Sequence, residues 1–291
     1  MSGGARLALL LLGIAWLAGC AEREERVNRV LATTPTGAVR IFMLSGSVRV
    51  VGWDRDSVEV TGTVGPGLHW GVGGAPGAVK IGTYDMGDEN SQALSRLTVR
   101  VPSASQLWIK TSGAAVRVEN FTGSLDVYTI DGPVQARGAG RQLRIETIRG
   151  SVDVAGSPQW LRVRTGAGNI DLRGGARDVA LVTVSGAIRS DMHFARGRFE
   201  SFSGTVSLAG NLAPGSHAEI DTHSGRAEMR LTGTPNAEFN LFTNSGTVKS
   251  SLAGAPTVRR TSGGTETRFT VNGGAAQATI RTFSGEIRLQ Q

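Results

Sequence analysis

Between Leu107 and Leu208 the chain repeats itself every eighteen residues. A glycine column stands at Gly132, Gly150, Gly168, Gly186 and Gly204, with Ala114 in the place before it. Five residues ahead of each lies an apolar side chain (Ile109, Val127, Ile145, Val163, Leu181, Phe199). Three ahead lies a small hydroxyl (Thr111, Thr129, Thr147, Thr165, Thr183, Ser201). Two behind comes a β-branched residue (Val116, Val134, Val152, Ile170, Ile188, Val206). Each flank alternates with period two and is therefore a short strand with one buried face. The glycine marks the bend between them, where a positive φ or a close backbone approach is needed.

A fixed period of this length marks a repeat architecture. Stacking like positions on like, about 4.8 Å apart, predicts parallel strand ladders. The expected fold is all-β, a single parallel β-solenoid (a β-helix) of about ten coils of 18–21 residues, right-handed by the crossover rule. A coil burying about four apolar side chains gains on the order of 1.5–3 kcal/mol from each before chain entropy is counted. No coil is stable alone, and the stack shares one core.

The rest of the chain is read against that pattern. Residues 1–20 carry Arg6, an apolar run from Leu7 to Leu17, and then Leu17-Ala18-Gly19-Cys20. The run is too short to span a bilayer and reads as a secretory signal. Residues 21–36, charged and then Thr/Pro-rich, are expected to be a tether. Residues 37–106 are expected to form an N-terminal β cap, with a diverged first repeat at Val39–Val50, a strand at Val58–Val64, a turn-rich surface loop over 65–78, and a strand ending at Val101. Such a cap would cover the unpaired backbone edge of the first coil. The solenoid is expected over 107–291. Its period lengthens to twenty-one at Gly225 and Gly246, an irregular insertion fills 254–274, and a last copy ends the chain at Gly285.

Composition narrows the function. Forty-one glycines and 5% aromatics suit thin coils with many turns, and a net charge of +7 is spread along the strands. No nucleic-acid motif or aromatic-interleaved basic stretch accompanies it, so nucleic acid is not an expected partner. Histidines at 69, 193, 217 and 223 show no metal-ligand spacing, and Cys20 is the one thiol; no metal, cofactor or small-molecule substrate is expected. The recurring Ser-Gly pairs are bend residues rather than nucleophiles, since no Gly-x-Ser-x-Gly elbow is present. Trp53, Trp70, Trp108, Tyr128 and Trp160 are scattered. Asp153 and Asp171 occupy one outward column in adjacent coils and are the best candidates for a paired acidic site. Arg189 follows in the same column, which fits a mixed-charge ladder instead.

Two resemblances complete the reading. Leu17-Ala18-Gly19-Cys20 resembles the bacterial lipoprotein cleavage box, which implies cleavage before Cys20, lipid on its sulfur and anchoring to a membrane. Ala21 rather than Asp after the cysteine, under the usual lipoprotein sorting rule of diderm bacteria, implies the outer membrane over the inner. That start, the Leu97-Thr98-Val99-Arg100-Val101-Pro102 strand and the repeated Thr-x-Ser-Gly-x-Val/Ile bends resemble the bacterial β-strand-repeat "putative adhesin" family, a domain of unknown function. The resemblance covers roughly residues 37–291 and carries no catalytic residues. The expected function is a lipid-anchored, non-catalytic cell-envelope protein acting as an adhesin-like binding surface or scaffold, with an envelope protein or polysaccharide as ligand. The alternative is a β-solenoid lyase or hydrolase of polysaccharide.

Overall fold

The computed structural model describes residues 24–85, 94–138, 140–191, 193–253 and 256–291. These residues form twenty-six strands and no helix. Cys20 and the signal segment lie outside the described residues.

Through the eighteen-residue region each repeat supplies one strand to each of two parallel ladders. In the first ladder Gln142–Thr147 lies between Ser124–Thr129 and Trp160–Thr165, with Ile145 beside Val127 and Val163. In the second, Val152–Gly156 lies between Val134–Arg137 and the start of Ile170–Thr183. The apolar columns face one shared interior: Ile109, Val127, Ile145, Val163, Leu181 and Phe199 are wholly buried.

The bends explain the glycine and hydroxyl columns. A Cβ on Gly186 would lie 2.0 Å from the carbonyl oxygen of Gly168, and one on Gly168 would lie 1.9 Å from that of Gly150. Close stacking of bend on bend, rather than a positive φ, demands glycine here. The threonine ahead of it is buried and accepts from the glycine amide: Gly150 N donates to Thr147 Oγ1 at 2.9 Å, Gly168 N to Thr165 at 2.9 Å and Gly186 N to Thr183 at 3.0 Å. These bonds run within a bend and satisfy an amide that no ladder reaches. Along the stack, Thr111 Oγ1 donates to Thr129 Oγ1 at 2.9 Å.

The expected single parallel β-solenoid is corrected by the pairing of the ends. The sheet is mixed and wraps round its core as a nearly closed barrel, with five antiparallel pairings beside the parallel ones. One right-handed winding from end to end does not describe it. The regular period spans only 107–208, and beyond it the chain must cover two open ladders whose outer strands would present unpaired backbone groups. Antiparallel strands do this with short reversals.

At the N-terminal end Ala38–Met43 pairs with Gln106–Thr111 and with Ala78–Asp85. Leu68–Ala75 then folds back antiparallel on Ala78–Asp85 through Pro76-Gly77, where Gly77 has φ +86°. The surface loop expected over 65–78 is thus mostly a strand. In the second ladder Gly46–Trp53 pairs with Ala115–Glu119 and Ser95–Pro102, followed by Ser57–Val64 and Glu25–Ala32, both antiparallel. Residues 25–32, expected to be tether, form this outermost strand: Val27 is buried, and the segment takes its full length of pairing from Ser57–Val64.

At the C-terminal end the order of repeats breaks. Ala276–Thr282 lies between His217–Thr222 and Ala237–Thr243, parallel to both. Glu286–Gln290 lies likewise between Ala227–Leu231 and Thr247–Ser250. The last repeat is therefore threaded into the stack ahead of the repeat that precedes it in sequence. The insertion at 254–274 forms the antiparallel strands Thr257–Thr261 and Gly264–Val271, which cover Ala237–Thr243 on its far side.

Candidate functional site

The outer face of the first ladder carries a groove of about 640 Å³ across the middle repeats. Adjacent strands place Arg144, Arg162, Ala180 and Arg198 in one row. Two residues earlier, Trp160, Asp178, Arg196 and His217 form a second row. The small Ala180 side chain lowers the floor between Arg162 and Arg198. Beneath it Gly197 faces inward, where a Cβ would meet the Phe199 ring at 2.6 Å and the Phe194 ring at 2.8 Å. Packing under the floor thus fixes the backbone that carries Arg196 and Arg198.

Most of the arginines are held by carboxylates. Arg144 donates to Glu146 at 2.7 Å, Arg196 pairs with Asp178, and Arg198 pairs with Glu200 and, at 3.2 Å, with Glu219. The Tyr128 hydroxyl and Arg144 hold the Glu146 carboxyl below the usual carboxylate range against the effect of burial. In the same row burial pushes Asp126 above it. Arg162 has no ion-pair partner among the described residues, and beside it Trp160 is 52% exposed. Asp178 keeps one carboxylate oxygen buried without a hydrogen-bond partner, 3.9 Å from the Arg177 guanidinium. The groove therefore offers fixed guanidinium groups, one cation without an ion-pair partner and an apolar indole.

The residues singled out from sequence fall elsewhere. Asp153 and Asp171 are neighbours in the second ladder as expected, but each meets an arginine: Arg173 reaches Asp153 at 2.7 Å and Arg189 reaches Asp171 at 3.6 Å. Neither acid lines the groove. His217 bonds Gln277 at 3.1 Å, and His69 stacks on Tyr84. Among the described residues no three His, Cys, Asp or Glu side chains come together as a metal cluster. Trp53 donates to the Ser57 carbonyl at 2.8 Å, Trp108 packs edge-on against Phe42, and Arg29 sits over Trp70, so Trp160 is the more available of these indoles. The arginine row lies outside the outward column of Asp153, Asp171 and Arg189 that the sequence singles out. The signal for it is the spacing of Arg144, Arg162 and Arg198 at multiples of eighteen.

No protein-family model matches the sequence, and no curated protein does. Solved structures do match in fold. A "putative adhesin" from Parabacteroides merdae is 12% identical, with 92% of this chain and 97% of that one covered and a TM-score of 0.52. Another from Parabacteroides distasonis is 11% identical, with 92% and 98% covered and a TM-score of 0.50. The resemblance to putative adhesins drawn from the bend motifs thus holds for the solved structures as well.

Proposed function

We propose that this chain is a non-catalytic, adhesin-like binding protein of the bacterial cell envelope, held to the outer membrane through lipid on Cys20, and that its arginine groove takes acidic polysaccharide. The observation that carries the reading is Arg162: a cation without an ion-pair partner, flanked by Arg144 and Trp160 on a rigid strand surface. Uronate or sulfate groups repeating along a glycan would meet guanidinium groups, and a sugar face would lie on the indole. The names of the similar structures agree with a binding role. Nothing at Asp153 and Asp171 favours the lyase or hydrolase alternative, since each carboxylate is occupied by an arginine.

Calorimetry with a polyuronate and with neutral dextran tests the groove. Binding is expected for the polyuronate alone and should weaken by about tenfold or more in Arg162→Gln/Trp160→Ala, the loss of a charge-assisted contact and a stacked ring. Equal binding of dextran, or a double variant that binds like the parent, would sink the assignment. Polyuronate turnover that disappears in Asp153→Asn/Asp171→Asn would restore the enzyme. Processed protein remaining in the membrane fraction after Cys20→Ser would remove the anchor.

A further inference from the structure

One corner of the molecule is apolar outside and has no backbone need for water. The residue after each threonine turns outward between the two ladders. Along the stack, between Ser112 at one end and Asn244 at the other, these residues are Ile130, Ile148, Gly166, Val184, Phe202, His223 and Phe283. Ile148, Val184, Phe202 and Phe283 are each more than half exposed, and Ile130 is 43% exposed. The His223 ring stacks between Phe202 and Phe283 with centroids 4.5 and 4.8 Å apart and planes within 8°. Rings stacked along the ladder present edges outward, so the row is no platform for sugars. Six ladder steps make it about 29 Å long.

The polar groups of this corner are satisfied from within. The carbonyl of Val184 accepts from Ser203 N at 2.9 Å, that of Phe202 from Ser224 N at 2.9 Å, and those of His223 and Phe283 from Ser284 N and Ser245 N at 2.8 Å. The same serine hydroxyls add bonds of 3.3–3.4 Å to the same four carbonyls. Burial away from water therefore leaves no orphaned carbonyl among these four, the condition for entering a lipid interface. On the serine side the row is flanked by Ser185, Ser203, Ser224 and Ser284, and beside Ile130 and Ile148 by the mutually neutralising Asp131–Arg149 ion pair. On its other side lies an apolar groove of about 650 Å³ between Tyr128, Val182, Ile130 and Ile148. Lys110 and Arg164 border this groove, and neither has an ion-pair partner among the described residues. Glu146, its acid, is hydrogen-bonded by Tyr128 and Arg144 and lies beside Arg164, whose charge also favours its ionised form.

From this arrangement we infer that the corner lies on the surface of an anionic lipid bilayer. Ile148, Val184, Phe202 and Phe283 enter the boundary between headgroups and acyl chains, and Lys110 and Arg164 meet lipid phosphates. A second copy of the chain is the poorer occupant. Half-exposed side chains in a single row offer on the order of 500 Å², less than the ~800 Å² per partner that a stable complex buries. A membrane needs less area, because a lipid-attached chain is already at its surface and a second, weaker contact suffices to orient it.

The contact is measured without the lipid, so its failure is distinguishable from failure of the anchor. A chain beginning at Glu24 keeps every strand pairing described, all of them between Glu25 and Gln290. Flotation with vesicles of phosphatidylglycerol in phosphatidylcholine should carry it, and pure phosphatidylcholine vesicles should carry about tenfold less. Phe202→Ser/Phe283→Ser and, independently, Ile148→Ser/Val184→Ser should each lower vesicle binding about tenfold with thermal melting unchanged, the loss of two inserted side chains. Lys110→Gln/Arg164→Gln should reduce binding to the anionic vesicles to the phosphatidylcholine level. Absence of binding to anionic vesicles, or both serine variants binding like the parent, would overturn the inference. So would a dimer in sedimentation equilibrium that Phe202→Ser/Phe283→Ser dissolves, because the corner would then be covered by a second copy.

Discussion

The middle and the C-terminal end of this protein are made of the same repeat and are assembled by different rules. From Gln106 to Ser201 spatial order follows chain order, each strand lying beside the one eighteen residues away. At the end, His217–Thr222 lies beside Ala276–Thr282, sixty residues on, and Ala237–Thr243 is displaced outward. Repeats with like columns offer like surfaces above and below, so column matching alone does not choose the neighbour. The connection chooses it. Thr257–Thr261 and Gly264–Val271 fold back over Ala237–Thr243, and Asn272 and Gly274, at φ +55° and +68°, turn the chain into the slot beneath. The bend geometry is retained throughout: a Cβ on Gly285 would lie 1.9 Å from the Gly225 carbonyl oxygen, and one on Gly246 would lie 1.9 Å from that of Gly285.

The comparison is tested most severely by burying a charge in each region. Val163→Asp places a carboxylate between Ile145 and Leu181 in the wholly buried column and should cost about 4 kcal/mol or more in urea denaturation, unfolding the middle. Arg164→Asp, one residue on and facing out, should change stability by about 0.5 kcal/mol or less. Ile280→Asp is as deeply buried but sits in the threaded repeat. Hydrogen exchange should show protection lost over 237–290 and kept over 124–201, because neighbouring repeats couple to each other more than to distant ones. Loss of protection along the whole chain would mean that the ends and the middle unfold as one unit.

A smaller effect separates the bend glycines from the ordinary ones. Gly186→Ala forces its methyl against the Gly168 carbonyl and should cost about 2–3 kcal/mol, whereas Gly113→Ala, which has no atom within 4 Å of the added carbon, should be within about 0.5 kcal/mol of the parent. Thermal melting of the pair checks this. Equal losses would mean that glycine is needed for chain flexibility rather than for close approach.

How far the sequence could reveal this follows from where its signals are local. Strand, bend and buried face within one repeat depend on residues a few positions apart, and the columns around Gly150, Gly168 and Gly186 state all three. The ends depend on which strand is left unpaired, which the columns do not state. Pro76-Gly77 carries the mark of a tight reversal and could have been read as a hairpin rather than a loop. The threading of Ala276–Thr282 had no such mark, since its Thr282-Phe283-Ser284-Gly285 bend is like every other. The candidate groove was half legible: Arg144 and Arg162 repeat at the period, but the hollow at Ala180 needs adjacent rows side by side. The acidic pair Asp153 and Asp171 was located correctly as neighbours, while the arginine that occupies Asp153 comes from outside their column, at Arg173.

The smallest expected effect concerns what holds each irregular junction. Where the first repeat joins the middle, Glu119 bonds Arg49 across the strands and Arg117 beside it, and both hold its carboxyl below the usual range. Where the last repeat is threaded in, Glu286 meets Lys249 at 2.9 Å, Arg288 at 3.0 Å and Arg226 at 3.2 Å. It thereby joins the threaded repeat to the repeats on both sides, and Lys249 and Arg288 lower its carboxyl from 4.5 to about 2. A carboxyl whose pKa is depressed on folding stabilises fully above its unfolded value, and that contribution is lost as the pH falls from about 4.5 through about 2. Exchange protection over 276–290 should therefore decline across this window more steeply than protection over 143–190. Glu286→Gln should lower it at pH 6, flatten its decline, and converge with the parent near pH 2. The clamp is at the surface, so added salt should shrink the difference. If parent and variant keep a constant difference from pH 6 to pH 2, the threaded repeat is held by its packing alone and Glu286 is incidental to it.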